Sequence, residues 1–185
     1  MFEKLIVKIA KKLNQHKIPY MIIGGQAVLL YGEPRMTRDI DITLGVGVEG
    51  LDQLITISNQ LKLTVIPDHN VSEFVKKTMV LPVRDELTGI RIDFVFSFTP
   101  YEQQAIKRAN SKKINRIKVC FASLEDLVIH KIIAHRPRDI EDVKLILLKN
   151  PNFDSGYIYQ WLKEFDAGLE GSYSELFGKV IKDIQ

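Results

Sequence analysis

Two aspartates, Asp39 and Asp41, stand one residue apart in the segment Arg38-Asp39-Ile40-Asp41-Ile42. In an extended strand alternate side chains share a face, so both carboxylates point one way and Ile40 and Ile42 the other. Neighbouring carboxylates repel, and a cation between them or good solvation relieves the repulsion. A second alternating stretch, Ile90-Arg91-Ile92-Asp93-Phe94-Val95-Phe96, carries another aspartate among apolar residues. If that strand lies beside the first, three carboxylates converge. An oxygen-only set of this kind suits Mg²⁺ or Mn²⁺, which keep part of their water and complete their shell with substrate phosphates. Two such ions about 3.5–4 Å apart stabilise both the attacking and the leaving oxygen of an in-line phosphoryl displacement.

A glycine pair, Gly24-Gly25, follows the short apolar run at residues 20–23 and precedes a helical pattern through Ala27, Val28, Leu29 and Leu30. Glycine lets a ligand approach the backbone closely, and the free N–H groups of a helix start attract anions. Gly24 and Gly25 are therefore candidates to hold the β- and γ-phosphates of a triphosphate, with Arg38 as an added cation. Residues 22–44 read as the triphosphate side of a site to which Asp93 brings the remaining carboxylate.

These groups need elements to position them. Apolar residues at helical spacing predict an amphipathic helix over 2–16, ended by His16-Lys17 and Pro19. Strands are predicted over 20–23 and 39–44, with a short helix over 26–30 between them. A helix over 51–61 and a strand over 63–66 follow, while 71–77 fits either type. Residues 79–97 read as two strands joined by a turn near Thr88-Gly89, the first at a sheet edge because Pro82 cannot donate to a ladder. Thr99 and Pro100 open a helix over 99–110 as cap and first-turn residue. A strand is predicted over 118–122. Ser123 then caps a helix that runs to His135, in a sequence resembling a capping box with Asp126 in place of the usual Glu or Gln. A further helix spans 139–148, and beyond Pro151 two helical patterns centre on Trp161 and Phe177. The expected class is α/β (α+β): a small mixed β-sheet flanked by helices over residues 1–122, with a helical C-terminal part, residues 123–185, packed on that core.

The joint pattern resembles a known family. Gly24-Gly25, then Asp39-x-Asp41 on the next strand, then Asp93 on a later one, is similar to the nucleotidyltransferase fold of the DNA polymerase β superfamily. The form GGxA…YGxxRxTxDID resembles the minimal prokaryotic members, including the AbiEii-type toxin nucleotidyltransferases. The likeness continues through Ser123-Leu124-Glu125-Asp126-Leu127, Lys131, Ala134, Arg136, Arg138-Asp139 and Asp142, so that it covers roughly residues 18–148. It implies transfer of a nucleoside monophosphate from a nucleoside triphosphate such as ATP, with release of pyrophosphate. It implies metal ligation by Asp39 and Asp41, with Asp93 as third carboxylate and base for the acceptor hydroxyl. In the helical segment it implies that Lys131 and an acidic residue, Asp139, sit near the nucleotide. The acceptor does not carry over, since relatives modify antibiotics, proteins and tRNA ends. The expected partners are thus a nucleoside triphosphate, an acceptor that is RNA, protein or small molecule, and a regulatory protein such as an antitoxin. The alternative is the same fold kept as a nucleotide sensor or partner-binding subunit without turnover, against which the presence of all three carboxylates argues.

Composition excludes several classes. The chain has 185 residues, 45% hydrophobic and 26% charged, which fits one core or one α/β domain with a helical appendage and neither disorder nor a fibre. Its net charge of +3 permits a polyanionic partner without requiring one. The segment from Lys107 to Lys118 is basic and is read either as a phosphate-contacting surface or as a solvated helix end and loop. One cysteine, Cys120, excludes an internal disulfide framework and is read as a small buried apolar residue. No secretory leader pattern opens the sequence and no apolar run approaches the ~20 residues that span a bilayer, so a cytoplasmic location without membrane contact is expected. His16, His69, His130 and His135 show no metal-ligand spacing, and Tyr157, Tyr159, Trp161 and Phe165 lie at spacings expected of helix packing.

Overall fold

The computed structural model describes residues 1–97, 99–169 and 171–184. In chain order the elements are α1 (Phe2–Gln15), β1 (Tyr20–Ile23), α2 (Gly24–Tyr31), β2 (Asp39–Leu44), α3 (Leu51–Gln60), β3 (Leu63–Val65), α4 (Val71–Thr78), β4 (Val80–Asp85), β5 (Arg91–Phe96), α5 (Pro100–Arg108), β6 (Asn110–Ile114), β7 (Ile117–Phe121), α6 (Leu124–Ala134), α7 (Pro137–Lys149), α8 (Ser155–Leu169) and α9 (Tyr173–Ile184). They form two compact units. The first holds residues 1–26 and 36–121, the second 27–35 and 122–185. The chain passes from one to the other inside α2.

The first unit is built on a mixed sheet with the order β3-β4-β5-β2-β1-β7-β6. The pairs β1–β7 and β2–β5 are parallel and the others antiparallel. Alternation fixes the faces. In β2, Ile40, Ile42 and Leu44 are buried, and in β5 Ile92, Phe94 and Phe96 are fully so. Each such burial is worth about 1.5–3 kcal/mol, so a one-residue slip that moved the aspartates inward would be strongly disfavoured. Helix α1 adds Leu5, Ile6, Ile9, Ala10 and Leu13 to this core. Thr99 caps α5 in a reciprocal box with Glu102, and Pro100 occupies the first turn.

The second unit is helical throughout. Its core includes Ile129, Ile132, Val143, Ile146, Ile158, Leu162 and Phe177, with the Tyr159 ring edge-on to Phe177 at 4.9 Å. Residues 27–35 are tied into it by named bonds. The Tyr31 hydroxyl donates to the Ala122 carbonyl at 2.8 Å, Asn150 Nδ2 donates to the Tyr31 carbonyl at 2.9 Å, and Lys149 Nζ pairs with Glu33 at 2.7 Å. The Ser123 hydroxyl caps α6 by accepting from the Asp126 N–H. The Asp126 carboxylate, one methylene shorter than a glutamate, takes the hydroxyls of Ser123 and Tyr157. Asp166 of α8 caps α9, accepting from the N–H groups of Tyr173 and Ser174.

Three expectations change. Strand β4 is not at an edge, because β3 lies outside it. The last β3–β4 pair is Val65 with Val83, and the Pro82 carbonyl accepts from Ile66 just past it. The missing N–H of Pro82 points the same way, to where β3 has ended. The polar segment Asn110–Ile114 is a strand that the sequence did not signal, since its first four residues are exposed and show no alternation. The ambiguous stretch after residue 70 is helix α4. No helix among the described residues is long and apolar enough to cross a membrane.

Candidate active site

Parallel pairing of β2 with β5 sets Asp41 opposite Asp93 and Asp39 opposite Arg91. Four charged side chains therefore share one face: Asp39, Asp41, Asp93 and Arg91. Antiparallel pairing of β1 with β2 sets Ile23 opposite Asp41, so the chain turns into α2 directly beside that carboxylate. Gly24 makes the turn at φ +62°, and a Cβ there would lie 2.0 Å from Asp41 Oδ2. No side chain fits this position, on conformational and steric grounds together. Gly25 follows, buried in the first turn of α2.

The backbone register brings the three aspartates to one face, but their side chains do not close on one point. Among the described residues no three Asp, Glu, His or Cys side chains are grouped to hold a metal ion. Two of them are engaged by neighbours. Arg91 Nε donates to Asp93 Oδ1 at 2.8 Å, and Thr37 Oγ1 donates to Asp39 Oδ1 at 3.1 Å. The hydrogen bond to Asp93 pushes the Arg91 pKa above its ordinary value, slight desolvation opposes this, and the charges of Asp93, Asp39 and Asp41 add to it. The donor set nevertheless suits a hard divalent cation: three carboxylates on two adjacent strands beside a glycine notch. Arg91 is the residue that sequence reading overlooked. Its only signal was its place two residues before Asp93 on the same strand face. Arg38, expected to add a cation, is exposed and makes no ion pair among the described residues.

A second charged group lies wholly within the other unit. Lys131 of α6 is 4% exposed, and its Nζ lies 2.7 Å from Asp139 Oδ1 and 2.7 Å from Asp142 Oδ2, both on α7. Arg35 Nη2 approaches the same Asp142 oxygen at 2.9 Å. The tight reversal between α6 and α7 produces this. His135 closes α6 at φ +50°, and Pro137 starts α7 two residues later. Lys131 and Asp139, expected near the nucleotide, are here members of a balanced buried network of two cations and two anions. Arg35 stood in the recognised motif, but nothing in the sequence indicated that Asp142 was its partner. Cys120 is half-buried rather than buried, and burial pushes its thiol up while Lys118 pulls it down.

A family model described as "Nucleotidyl transferase of unknown function (DUF2204)" matches residues 2–166. No curated protein matches the chain. Among solved structures, the antibiotic-resistance factor ANT(2'')-Ia aligns over 91% of this chain and 94% of its own, with a TM-score of 0.60 and 17% identity. An antigenic nucleotidyltransferase-like protein from Paracoccidioides brasiliensis aligns over 91% of both chains, with a TM-score of 0.56 and 18% identity. The lincosamide antibiotic adenylyltransferase LnuA, solved with lincomycin, aligns over 77% of this chain and 94% of its own, with a TM-score of 0.53 and 16% identity. At these identities the structural likenesses establish the fold.

Proposed function

The chain belongs to the nucleotidyl transferase family of unknown function, and from that premise we propose that it moves a nucleoside monophosphate from a nucleoside triphosphate to an acceptor hydroxyl. The observation that carries the reading is the β2–β5 register, which presents Asp39, Asp41 and Asp93 on one face beside the Gly24 notch. Asp39, Asp41 and Asp93 are the residues that would hold Mg²⁺ or Mn²⁺, and such ions would neutralise the triphosphate and favour in-line displacement at the α-phosphorus. Gly24, Gly25 and the N–H groups of the first turn of α2 take the β- and γ-phosphates. Arg38, exposed and without an ion pair among the described residues, is the cation offered to them. Lys131 is already held by two carboxylates, and we assign it to that network rather than to the triphosphate.

Asp93 has the second task of taking the acceptor proton. The acceptor oxygen then bonds to the α-phosphorus, the bond from that phosphorus to the bridging oxygen breaks, and pyrophosphate leaves. Before Asp93 can act, its carboxylate must be released by Arg91. That ion pair is the one observation favouring a second reading, in which nucleotide is held without turnover.

Incubation with each nucleoside triphosphate and Mg²⁺, read by melting temperature and by pyrophosphate release, tests the proposal. Stabilisation together with pyrophosphate release that Asp41→Asn abolishes is the expected result. Stabilisation with no release from the wild-type chain, with any cellular RNA or protein extract as acceptor, would establish the second reading instead.

A further inference from the structure

The hairpin of β6 and β7, with β6 at the sheet edge, carries a charge pattern that its own folding does not need. From residue 103 to residue 124 the chain contains no aspartate or glutamate, while Lys107, Arg108, Lys112, Lys113, Arg116 and Lys118 fall within it. Some lysines elsewhere find partners, as Lys144 does with Asp183 and Lys149 with Glu33, while others such as Lys62, Lys76 and Lys77 make no ion pair among the described residues, so it is the clustering without any carboxylate that sets this segment apart. Among the described residues, Lys107, Lys112, Lys113, Arg116 and Lys118 make no ion pair. Antiparallel register sets Lys113 directly opposite Lys118, a like-charge pair that weakens a sheet.

The turn between the strands breaks a second local rule. Ile114 pairs with Ile117, so Asn115 and Arg116 form a two-residue connection, with φ +49° and +66°. Such a turn favours asparagine followed by glycine. Arginine stands in the glycine position, against backbone preference, and sets a cation at the hairpin tip. Edge lysines also guard against strand-to-strand association, but that purpose does not call for a strained arginine. A left-handed arginine and an opposed lysine pair in one hairpin both work against folding, as features kept for function often do.

We propose that the β6–β7 hairpin is a docking surface for the phosphodiester backbone of a nucleic-acid strand. Its cations sit on long, solvated side chains along an exposed edge rather than in a closed pocket, which suits an extended polyanion rather than a small one. Lys17 extends the basic surface, since it shares with Lys118 the rim of a shallow depression of about 330 Å³. A lipid surface fits less well, because none of the exposed large apolar side chains lies between residues 107 and 121. Resting on the proposed transferase reading, the surface makes a nucleic-acid strand the acceptor class. The docking itself does not depend on that reading.

The test is fluorescence anisotropy of the full chain with a labelled 20-nucleotide RNA, the DNA of the same sequence, and inorganic polyphosphate as competitor, between about 50 and 200 mM NaCl. Affinity should fall log-linearly with salt. The double variant Lys112→Gln/Lys113→Gln should bind about tenfold more weakly at the lowest salt, with a slope smaller by about one per lost phosphate contact. Arg116→Gly separates docking from folding, because the two effects have opposite sign: glycine relaxes the turn and raises the melting temperature, while binding weakens several-fold. The RNA and DNA arms identify which strand is preferred. Wild-type-like binding by either variant, no binding by the wild-type chain, or RNA binding that excess polyphosphate leaves untouched would overturn the proposal. Asp41→Asn should bind RNA as the wild-type chain does, so a failed transferase reading and a failed docking surface give different results.

Discussion

The molecule keeps two groups of acidic side chains near arginine and lysine, and they are opposites. In the second unit Arg35, Lys131, Asp139 and Asp142 are mutually paired, and Lys131 and Asp142 are nearly removed from solvent. The four charges sum to zero, and Lys131, Asp139 and Asp142 are placed by α6 and α7 while Arg35 comes from the connection after α2. On the β2–β5 face three carboxylates meet one guanidinium, and the Arg91 side chain is 53% exposed. Among these four side chains the carboxylates outnumber the guanidinium, and the apolar faces of β2 and β5 pack on the opposite side without them. A balanced buried network is explained by the fold it joins, whereas an unbalanced open one points to something the chain binds. Burial and charge balance, read together, separate structural from functional ionisable groups where residue type alone does not.

Asp41 and Asp142 should respond most strongly, and in opposite ways. Asp41→Asn should reduce pyrophosphate release by more than about 100-fold, beyond the loss typical of an outer-shell metal partner. Its melting temperature should be unchanged or higher, since one of three like charges is gone. Asp142→Ala should do the reverse in kind. It leaves Lys131 and Arg35 short of a buried counter-charge and should cost about 3–5 kcal/mol in a denaturant titration. A loss in Asp142→Ala below about 1 kcal/mol would show that its network is not structural.

Gly24→Ala has an intermediate effect that falls on the carboxylate face. The left-handed backbone alone costs about 1–3 kcal/mol for a residue with a Cβ. The Asp41 carboxylate must also move, because it would lie 2.0 Å from the new atom. Stability and nucleotide binding should fall together. Arg91→Gln should change stability by less than about 1 kcal/mol, as expected of an exposed pair. It should nonetheless tighten Mn²⁺ binding, measured by electron paramagnetic resonance of the free ion, because the competing cation at Asp93 is removed. Unchanged Mn²⁺ affinity would mean that Arg91 does not compete for that carboxylate.

The smallest effects are in pH, and they fall on different units. Burial raises the Tyr20 phenol of the first unit above its ordinary range, against the hydrogen bond it accepts from the Cys120 N–H. A raised acid stabilises its neutral form, so this contribution is full below about pH 10 and is lost as pH climbs past it. Tyr20→Phe should remove that alkaline dependence. In the second unit, slight desolvation of Asp166 is outweighed by hydrogen bonds from Ser174 and Tyr173, which lower its pKa. Stability from Asp166 is present above about pH 3.9 and fades as pH falls through the lower folded value. Amide exchange in α9 should report this in wild type and not in Asp166→Asn.

Sequence reading recovered what periodicity and capping encode. The strands at residues 20–23 and 39–44 have the expected limits, and Thr99, Pro100 and Ser123 start helices as their chemistry requires. The carboxylate face was legible because alternation fixes the side on which Asp39, Asp41 and Asp93 emerge. What was not legible depends on partners far away in the chain. Strand β6 is extended because β7 pairs with it, not because Asn110–Ile114 favours a strand. Pro82 suggested an edge because no local feature showed that β3 would end at Val65. No partner for Arg91 or Arg35 could be read from the sequence, because register and helix packing supply Asp93 and Asp142. Which rotamer each carboxylate adopts likewise depends on neighbours that alternation does not specify.

The discontinuous make-up of the second unit bears on the order of events at the ribosome. Residues 27–35 emerge early, but the helices that cover them begin at residue 124. Until then Val28, 1% exposed in the finished protein, has no core to enter, and Tyr31 lacks the Ala122 carbonyl. The nascent chain therefore carries an uncovered apolar helix just after Gly24 and Gly25 while the sheet is being assembled. Stalled or truncated chains ending before residue 122 should bind chaperones through this helix.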